Sequence, residues 1–195
     1  QITNVRGEPI ANVTVGNTTS RLMWNCISGT TDKDGKYSLK NVPTGELVLW
    51  AVTNKYAPYV DRFSLDSSEH TKSINIQMSD PCPLHGKIID AAGNPVLGVS
   101  VGLRKYKGVT NLAELNERVT SDPNGKFTIS SAPPQGKVIL EAYAAFVSNV
   151  MPELEAGQQQ EYIITVERSG RLYGKVLNDK TGEPVCKFNV KMGST

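Results

Sequence analysis

The strongest constraint in this chain is a phrase that it writes three times. The fullest copy is Gly86-Lys87-Ile88-Ile89-Asp90-Ala91-Ala92-Gly93-Asn94-Pro95-Val96-Leu97-Gly98-Val99-Ser100-Val101. It reads as a strand, a tight turn at Gly93-Asn94-Pro95, and a second strand with Val99, Val101 and Leu103 on one face, because side chains alternate across an extended backbone. Near the start the phrase is Gly7-Glu8-Pro9-Ile10-Ala11-Asn12-Val13-Thr14-Val15. Near the end it is Gly174-Lys175-Val176-Leu177, then Gly182-Glu183-Pro184-Val185-Cys186-Lys187-Phe188-Asn189-Val190. A period of roughly 90 residues is too long for a solenoid unit and suits an independently folded β-sandwich of about 100 residues.

The repeats divide the chain into 1–79, 80–167 and 168–195. In the first, Val13 and Val15 alternate on one strand, and the segment Asn17 to Thr30 reads as irregular. The run Thr31-Asp32-Lys33-Asp34-Gly35-Lys36-Tyr37-Ser38-Leu39 reads as a hairpin, since Asp-Gly supplies a positive φ at low cost. Val42-Pro43-Thr44-Gly45 then turns into a strand that places Leu47, Leu49 and Ala51 on one side. Ile74-Asn75-Ile76-Gln77-Met78 closes the unit with apolar/polar alternation. The second repeat follows the same order. Asn124-Gly125-Lys126-Phe127-Thr128-Ile129 matches the hairpin, Pro133-Pro134-Gln135-Gly136 matches the turn, and Val138, Leu140 and Ala142 match the apolar face. Tyr162 to Val166 closes it. The main departure is 104–119, where Asn111 to Arg118 suits a short helical turn in a loop of the kind that carries specificity.

The third repeat supplies only two strands, and some 25 residues cannot bury a core of their own. Either the chain is cut there or those strands are completed by another chain. The clipped first strand of the first repeat and the opening at Gln1 in mid-phrase likewise suggest an excised segment. Strands at short spacing, with turn signals between them and almost no helical periodicity, indicate an all-β antiparallel sandwich rather than a parallel α/β sheet. The linkers at Ser79-Asp80-Pro81-Cys82-Pro83 and Glu167-Arg168-Ser169-Gly170 are short. Two prolines stiffen the first, so the units should stand end to end with limited bending.

Composition narrows the function classes. A net charge of +2 with scattered basic residues gives no nucleic-acid stripe. No apolar run reaches the length of a membrane span. Cys26, Cys82 and Cys186 fall in no metal-ligand spacing and do not recur at equivalent repeat positions. They read as buried free thiols, with a Cys26–Cys82 bridge as the alternative in a secreted protein.

The Gly-x-Val/Ile, Gly-x-Pro-Val and Val-x-Val phrase, the Thr/Ser-Asp-x-Asp/Asn-Gly-Lys-Phe/Tyr hairpin and the Pro-x-Gly before an apolar strand together resemble the carboxypeptidase regulatory-like domain. The resemblance covers both full repeats and the stub of the third. It implies tandem seven-stranded antiparallel Greek-key sandwiches of the prealbumin-like (transthyretin) type. It also implies a non-catalytic module, found in tandem within secreted or surface-attached bacterial proteins. Related chemistries lack their residues. A zinc carboxypeptidase needs a His-x-x-Glu and a further His, and only His70 and His85 exist. The ending Met192-Gly193-Ser194-Thr195 is not the Tyr-Arg-Gly-Ser of the hydroxyisourate hydrolases. An intradiol iron site takes two Tyr and two His, and the two histidines here lie in the tail of the first repeat and the head of the second. Pilin-type Lys–Asn isopeptide chemistry needs a facing Lys and acid. Glu141 stands on a suitable strand, but Trp50 takes its place in the first repeat and no Lys partners it.

Individual residues follow the same logic. Asp32 and Asp34 could ligate Ca²⁺, yet turn geometry alone explains acidic and amide residues at that tip. Trp50 reads as core or an inter-domain contact. Trp24, in the irregular segment near Arg21 and Asn25, is the better sugar-stacking residue, so Trp24 and Arg21 form the candidate ligand site. The Asn-x-Thr triplets at Asn12 and Asn17 match a glycosylation sequon. No Gly-x-Ser-x-Gly elbow is present. The reading is a spacer or scaffold in a larger secreted or cell-surface protein, with no catalytic, cofactor or metal residues. Its partners would be protein or carbohydrate at the cell surface and neighbouring repeats. The alternatives are a carbohydrate- or protein-binding accessory module and a piece attached to a hydrolase outside this chain.

Overall fold

The computed structural model describes residues 1–19, 22–68, 71–110, 112, 117–158, 160–169, 174–185, 187 and 189, with backbone alone at 19 and 22–26. The named elements are all strands, fifteen in chain order. The first half holds β1 (Ile2–Thr3), β2 (Thr14–Thr19), β3 (Leu22–Thr30), β4 (Gly45–Thr53), β5 (Tyr56–Leu65) and β6 (Ile76–Gln77). The second half holds β7 (Leu84–Ile89), β8 (Ser100–Tyr106), β9 (Val109–Thr110), β10 (Arg118–Thr120), β11 (Lys126–Ile129), β12 (Gly136–Ala144), β13 (Val147–Val150), β14 (Glu153–Ala156) and β15 (Tyr162–Thr165).

These strands form four sheets: β3-β2-β4-β5; β1-β6; β10-β8-β12-β13 with β14 and β9 attached; and β11-β7-β15. The architecture is all-β with sheets stacked as in a sandwich. It departs from the expected seven-stranded, antiparallel pattern: β1 with β6 and β7 with β15 pair in parallel. In the second half, Met151-Pro152 interrupts the strand beside β12, so β13 and β14 pair with it in succession. In the first half, β1 is two residues long. Lys36 to Leu39, the counterpart of β11, therefore runs beside it without forming a strand.

The segment expected to be irregular, Asn17 to Thr30, is instead most of an antiparallel β2–β3 pair running from Thr14↔Thr30 to Thr19↔Leu22. In β2 the run Gly16, Asn17, Thr18 and Thr19 carries no apolar signal, and backbone pairing holds the strand. Of the loop expected to hold a helical turn, Asn111 and residues 113–116 lie outside the described residues. Leu112 is fully buried in the second core, and Arg118 already belongs to β10. The third-repeat segment shows one isolated bridge, Leu177↔Pro184, rather than strands. Its Val176 and Leu177 are 37% and 51% exposed, although Ile2 and Ile88, at the matching place of Val176, are fully buried.

The same hydrogen bonds hold the turn phrase in both halves. Gly7 N–H donates to Asn4 O at 3.0 Å, and Gly93 N–H to Asp90 O at 2.9 Å. The Asn4 Oδ1 accepts from Arg6 and Glu8 N–H, and the Asp90 Oδ1 from Ala92 and Asn94 N–H. The Thr31 hydroxyl bridges Val13 N–H and Ile10 O, and the Ser121 hydroxyl bridges Val99 N–H and Val96 O. The expected hairpins are turns between sheets instead: β10 pairs with β8 and β11 with β7, and 36–39 forms no strand. At these turns Gly35 and Gly125 have φ of 68° and 76°, and an added Cβ would lie 2.4 and 2.3 Å from Ile2 O and Ile88 O. Only glycine fits both that backbone and that approach.

Two cores result. One joins Ile2, Ile10, Val13, Val15, Leu49, Ala51, Ile76 and Met78. The other gathers the second half around Ile88, Val101, Leu103, Ile129 and Leu140, and it includes Val48, Trp50, Val52 and Val60 of the first half. Leu49 and Ala51 thus serve one core while the opposite face of β4 serves the other. Units tied only by a stiff linker would leave that face in water. Here its alternate residues are apolar, and burial removes them from it. The indole Nε1–H of Trp50 has no partner among the described residues. Truncating a buried aromatic ring costs about 3–5 kcal/mol. Trp50→Ala should lose that much in urea unfolding. Trp50→Phe should lose less than half of it, since it keeps a ring and removes the unpaired N–H.

Candidate functional site

The expected ligand residues fare differently. Arg21 lies outside the described residues. Trp24 stands on strand β3 rather than in an irregular loop, and its side chain lies outside what is described. The histidines do not converge. His85 is exposed on β7 with Nδ1 3.0 Å from Thr128 Oγ1, and His70 lies outside the described residues. Cys82 is a half-buried free thiol, whereas the side chains of Cys26 and Cys186 are not described. Asp32 accepts the N–H groups of Asp34 and Lys36 at 2.9 and 2.8 Å, which makes it a turn residue. Among the described residues no group of three His, Cys, Asp or Glu is placed to hold a metal, and no helix is long and apolar enough to cross a membrane.

The polar cluster the structure does assemble lies on the face of the second half's larger sheet that points away from its core. On β12 the residues Val138, Leu140 and Ala142 go inward, so Ile139, Glu141 and Tyr143 go outward. Register places Arg118, Gly102 and Glu141 side by side across β10, β8 and β12. Gly102 has no side chain to intervene, and Arg118 Nη2 reaches across it to Glu141 Oε2 at 2.8 Å. The guanidinium also lies 4.9 Å from the Tyr143 ring centre, and Asn149 Nδ2 approaches Glu141 Oε1 at 3.4 Å. The pair is mostly shielded, with side chains 24% and 11% exposed.

The hydrogen bond from Arg118 is the chief influence holding the Glu141 carboxyl below its ordinary value of 4.5. Burial opposes this, and the Asn149 hydrogen bond and the field of Arg104 reinforce it. A carboxylate this well partnered is a poor general acid or base, because its proton affinity is low and its lone pairs are engaged. The cluster is suited to fixing the sheet face and presenting an aromatic ring beside a cation. Sequence reasoning singled out Glu141 and placed Arg118 at the end of a loop, but it did not pair the two, since their contact depends on strand register.

The second feature is a groove of about 860 Å³ in the first half. It lies between the segment 37–44 and the segment 71–75, floored by Leu49, Phe63 and Leu65. Tyr37 spans it, its hydroxyl donating to Ile74 O at 2.9 Å, and burial pushes that phenol up from its ordinary value. Close by, burial first and then the hydrogen bond to Asp61 push Tyr59 up to about 12.

No family model matches the chain. No curated protein matches it. Several solved structures are similar in shape. A streptococcal ancillary pilin has a TM-score of 0.41 at 11% identity, covering 87% of this chain and 61% of that one. The Bacillus anthracis TIE protein has a TM-score of 0.35 at 15% identity, covering 86% of this chain and 33% of that one. The shaft pilin SpaA from Lactobacillus rhamnosus GG has a TM-score of 0.36 at 9% identity, covering 85% and 91%. The chain therefore spans less than two thirds of the length of the first two. Likeness this remote bears on neither activity nor partners.

The ion pair gives a pH test. A carboxyl held low in the folded state adds stability that is present above the unfolded value and lost as pH falls through the folded one. At pH 7 Glu141→Gln should lower stability by about 1–3 kcal/mol. The gap between variant and parent should close as pH drops below 4.5, followed by urea unfolding across the pH range.

Proposed function

We propose that the chain is a stiff spacer or scaffold made of two carboxypeptidase regulatory-like sandwiches, 1–79 and 80–167, followed by the start of a third. Its place is within a larger secreted or cell-surface protein, and it carries no catalytic role of its own. The single observation that supports this most is the double burial of β4. Val48, Trp50, Val52 and Val60 are at most 5% exposed and share a core with the second half. Arg62, on the same face of β5, approaches Gly108 in the turn between β8 and β9, where an added Cβ would lie 3.5 Å from its Nη2. Two units that share an apolar surface transmit orientation, whereas units on a free linker do not.

The second supporting observation is the linker itself. Ala57 N–H donates to Ser79 O at 3.1 Å and Cys82 N–H to Ala132 O at 3.0 Å, so both of its ends are pinned. At the far end of the second unit, Ser169 N–H donates to Phe146 O at 2.9 Å and Arg168 Nε meets Asp90 Oδ2 at 3.2 Å. The backbone leaving the unit is therefore anchored to it. The family resemblance supplies the extracellular setting.

The test is a distance measurement. Spin labels at Lys33→Cys and Gln158→Cys, in a chain whose own cysteines are serine, should give one narrow distance by electron–electron resonance. The distance should stay narrow when glycines are inserted between Pro81 and Cys82, because the β4 face rather than the linker sets the orientation. A broad distribution in the uninserted chain would overturn the reading.

A further inference from the structure

We propose that the outward face of the second half's larger sheet, between Tyr143 and Arg104, is a binding site for an oligosaccharide that carries carboxylates. A sugar ring would lie against Tyr143, and a carboxylate further along the ligand would pair with Arg104. The inference goes beyond the spacer reading and does not depend on it.

A break in the alternation of β8 supplies the cation. Leu103 and Tyr106 are both buried, opposite the inward residues Leu140 and Val138. They are three positions apart, a spacing that regular alternation puts on opposite faces. The register shift between Ile139 and Leu140 absorbs the extra residue, so Arg104 and Lys105 both go outward. The first half has no such shift between β2 and β4. Bulges re-aim side chains in this way, often beside a functional site. On this face Arg118 is already paired with Glu141 and Lys137 with Glu153, at 2.8 and 2.9 Å. The further carboxylate, Glu155, stands beside Lys137. Arg104 is half-buried and makes no ion pair among the described residues, so the positive excess of the face collects at the bulge.

The apolar platform lies further along the same face. Tyr143 is 44% exposed, with the Arg118 guanidinium over its ring at 4.9 Å from the centre. Glu141 fixes that guanidinium, so the ring rests on a held cation. Register sets Ser100 opposite Tyr143 and Thr120 opposite Ser100, while Asn149 stands against Glu141. The ring is thus bordered by two hydroxyls and an amide. An aromatic surface with a few placed polar groups suits a sugar ring and its hydroxyls. A planar guanidinium suits a carboxylate, which it can hold through two parallel hydrogen bonds. Ser100 and Arg104 are four residues apart, roughly 13 Å along an extended strand. The ligand is therefore an oligosaccharide rather than a single sugar.

An acidic peptide is the competing occupant. Extended peptides bind sheets by adding a strand to a free edge. Here β8 lies between β10 and β12, and β12 between β8 and the successive strands β13 and β14. The strands beneath the site have no free edge, and they offer side chains alone. The first half shows what protein packing at this place requires. There the matching positions are Val48, Trp50 and Val52, all apolar and buried against the other half. The second half has Ile139, Glu141 and Tyr143 instead, a more polar set that a hydroxyl-rich ligand satisfies better.

The experiment is titration calorimetry of the full chain with tetrasaccharides of galacturonate, hyaluronan and sialic acid, and with a glutamate octapeptide. At least one of the acidic saccharides should bind, and its methyl ester should bind about tenfold more weakly or worse, equivalent to about 1.4 kcal/mol. Arg104→Gln should weaken binding to a similar extent and flatten its dependence on salt. Tyr143→Ala should also weaken it about tenfold, whereas Tyr143→Phe, which keeps the ring, should retain most of the affinity. Lys33→Gln removes the same charge from the first half and should change nothing. Urea unfolding of each variant separates loss of the site from loss of the fold. If none of the three saccharides binds, or if the methyl ester binds as well as the acid, the assignment is wrong. It is equally wrong if folded Arg104→Gln and Tyr143→Phe bind alike and at full strength. Tighter binding of the glutamate peptide than of any saccharide would give the face to a protein partner and overturn the proposal. None of these results bears on the spacer reading, which the spin-label distance tests by itself.

Discussion

Burial of both faces of β4 is the constraint on which the rest of the arrangement depends. An antiparallel sheet commonly keeps one face wet. Here six successive residues, Leu47 to Val52, are at most 5% exposed. The strand must therefore satisfy two cores with opposite sets of side chains, and its neighbours adjust to it. Gly16 stands opposite Trp50 in register, and an added Cβ there would lie 2.2 Å from the indole. The ring thus lies flat across β2, which is possible only over a glycine. Val60 stands opposite Trp50 on the other side, completing an apolar strip across β2, β4 and β5. The unpartnered indole N–H is the cost of this packing, and apolar burial of a side chain this large outweighs it.

The turn phrases explain how one scaffold can carry two different outer faces. The hydroxyls of Thr31 and Ser121, the side chains of Asn4 and Asp90, and the tip glycines Gly35 and Gly125 all bind backbone groups. Those contacts fix the path of the chain without involving the sheet face that points away from the core. That face is consequently free to differ. At the matching place of β4 and β12 one half has Trp50, buried against the other half, and the other has Glu141, paired with Arg118. Glycine recurs in both solutions. Gly16 admits a ring, and Gly102 lets a guanidinium cross a strand.

Legibility in the sequence followed the range of the interaction. The turn phrase, the Asp-Gly and Asn-Gly turns and the strand carrying Leu47, Leu49 and Ala51 are local signals, and the structure has a turn or a strand at each. The hairpin pairing around those turns was misread, because β10 and β11 belong to different sheets. The β2–β3 pair was not legible, because its strands contain Gly16, Asn17, Thr18 and Thr19 where apolar residues would announce burial. Asn17 is fully buried, and among the described residues neither of its side-chain polar atoms has a hydrogen-bond partner, although its counterpart Leu103 is an ordinary core residue. A polar residue in a core position misleads any pattern based on hydropathy. The Arg118–Glu141 pair joins residues far apart in sequence and depends on strand register, which a single sequence does not display. The shared core was half legible. Trp50 suggested an inter-unit contact, but its partners lie in the other half.

The two smaller sheets differ in the ring that packs beside their central strand. Phe127 covers Gly86 in a three-stranded sheet, where β7 supplies backbone partners on both sides. At the same place in the first half the ring is Tyr37, and its hydroxyl donates to Ile74 O at 2.9 Å. An unpaired backbone acceptor costs about 1–3 kcal/mol when buried, and the phenol supplies a donor that phenylalanine could not. The change from Phe to Tyr thus ties the segment around Ile74 to the segment around Tyr37 through a side chain, a contact that Phe127 cannot make.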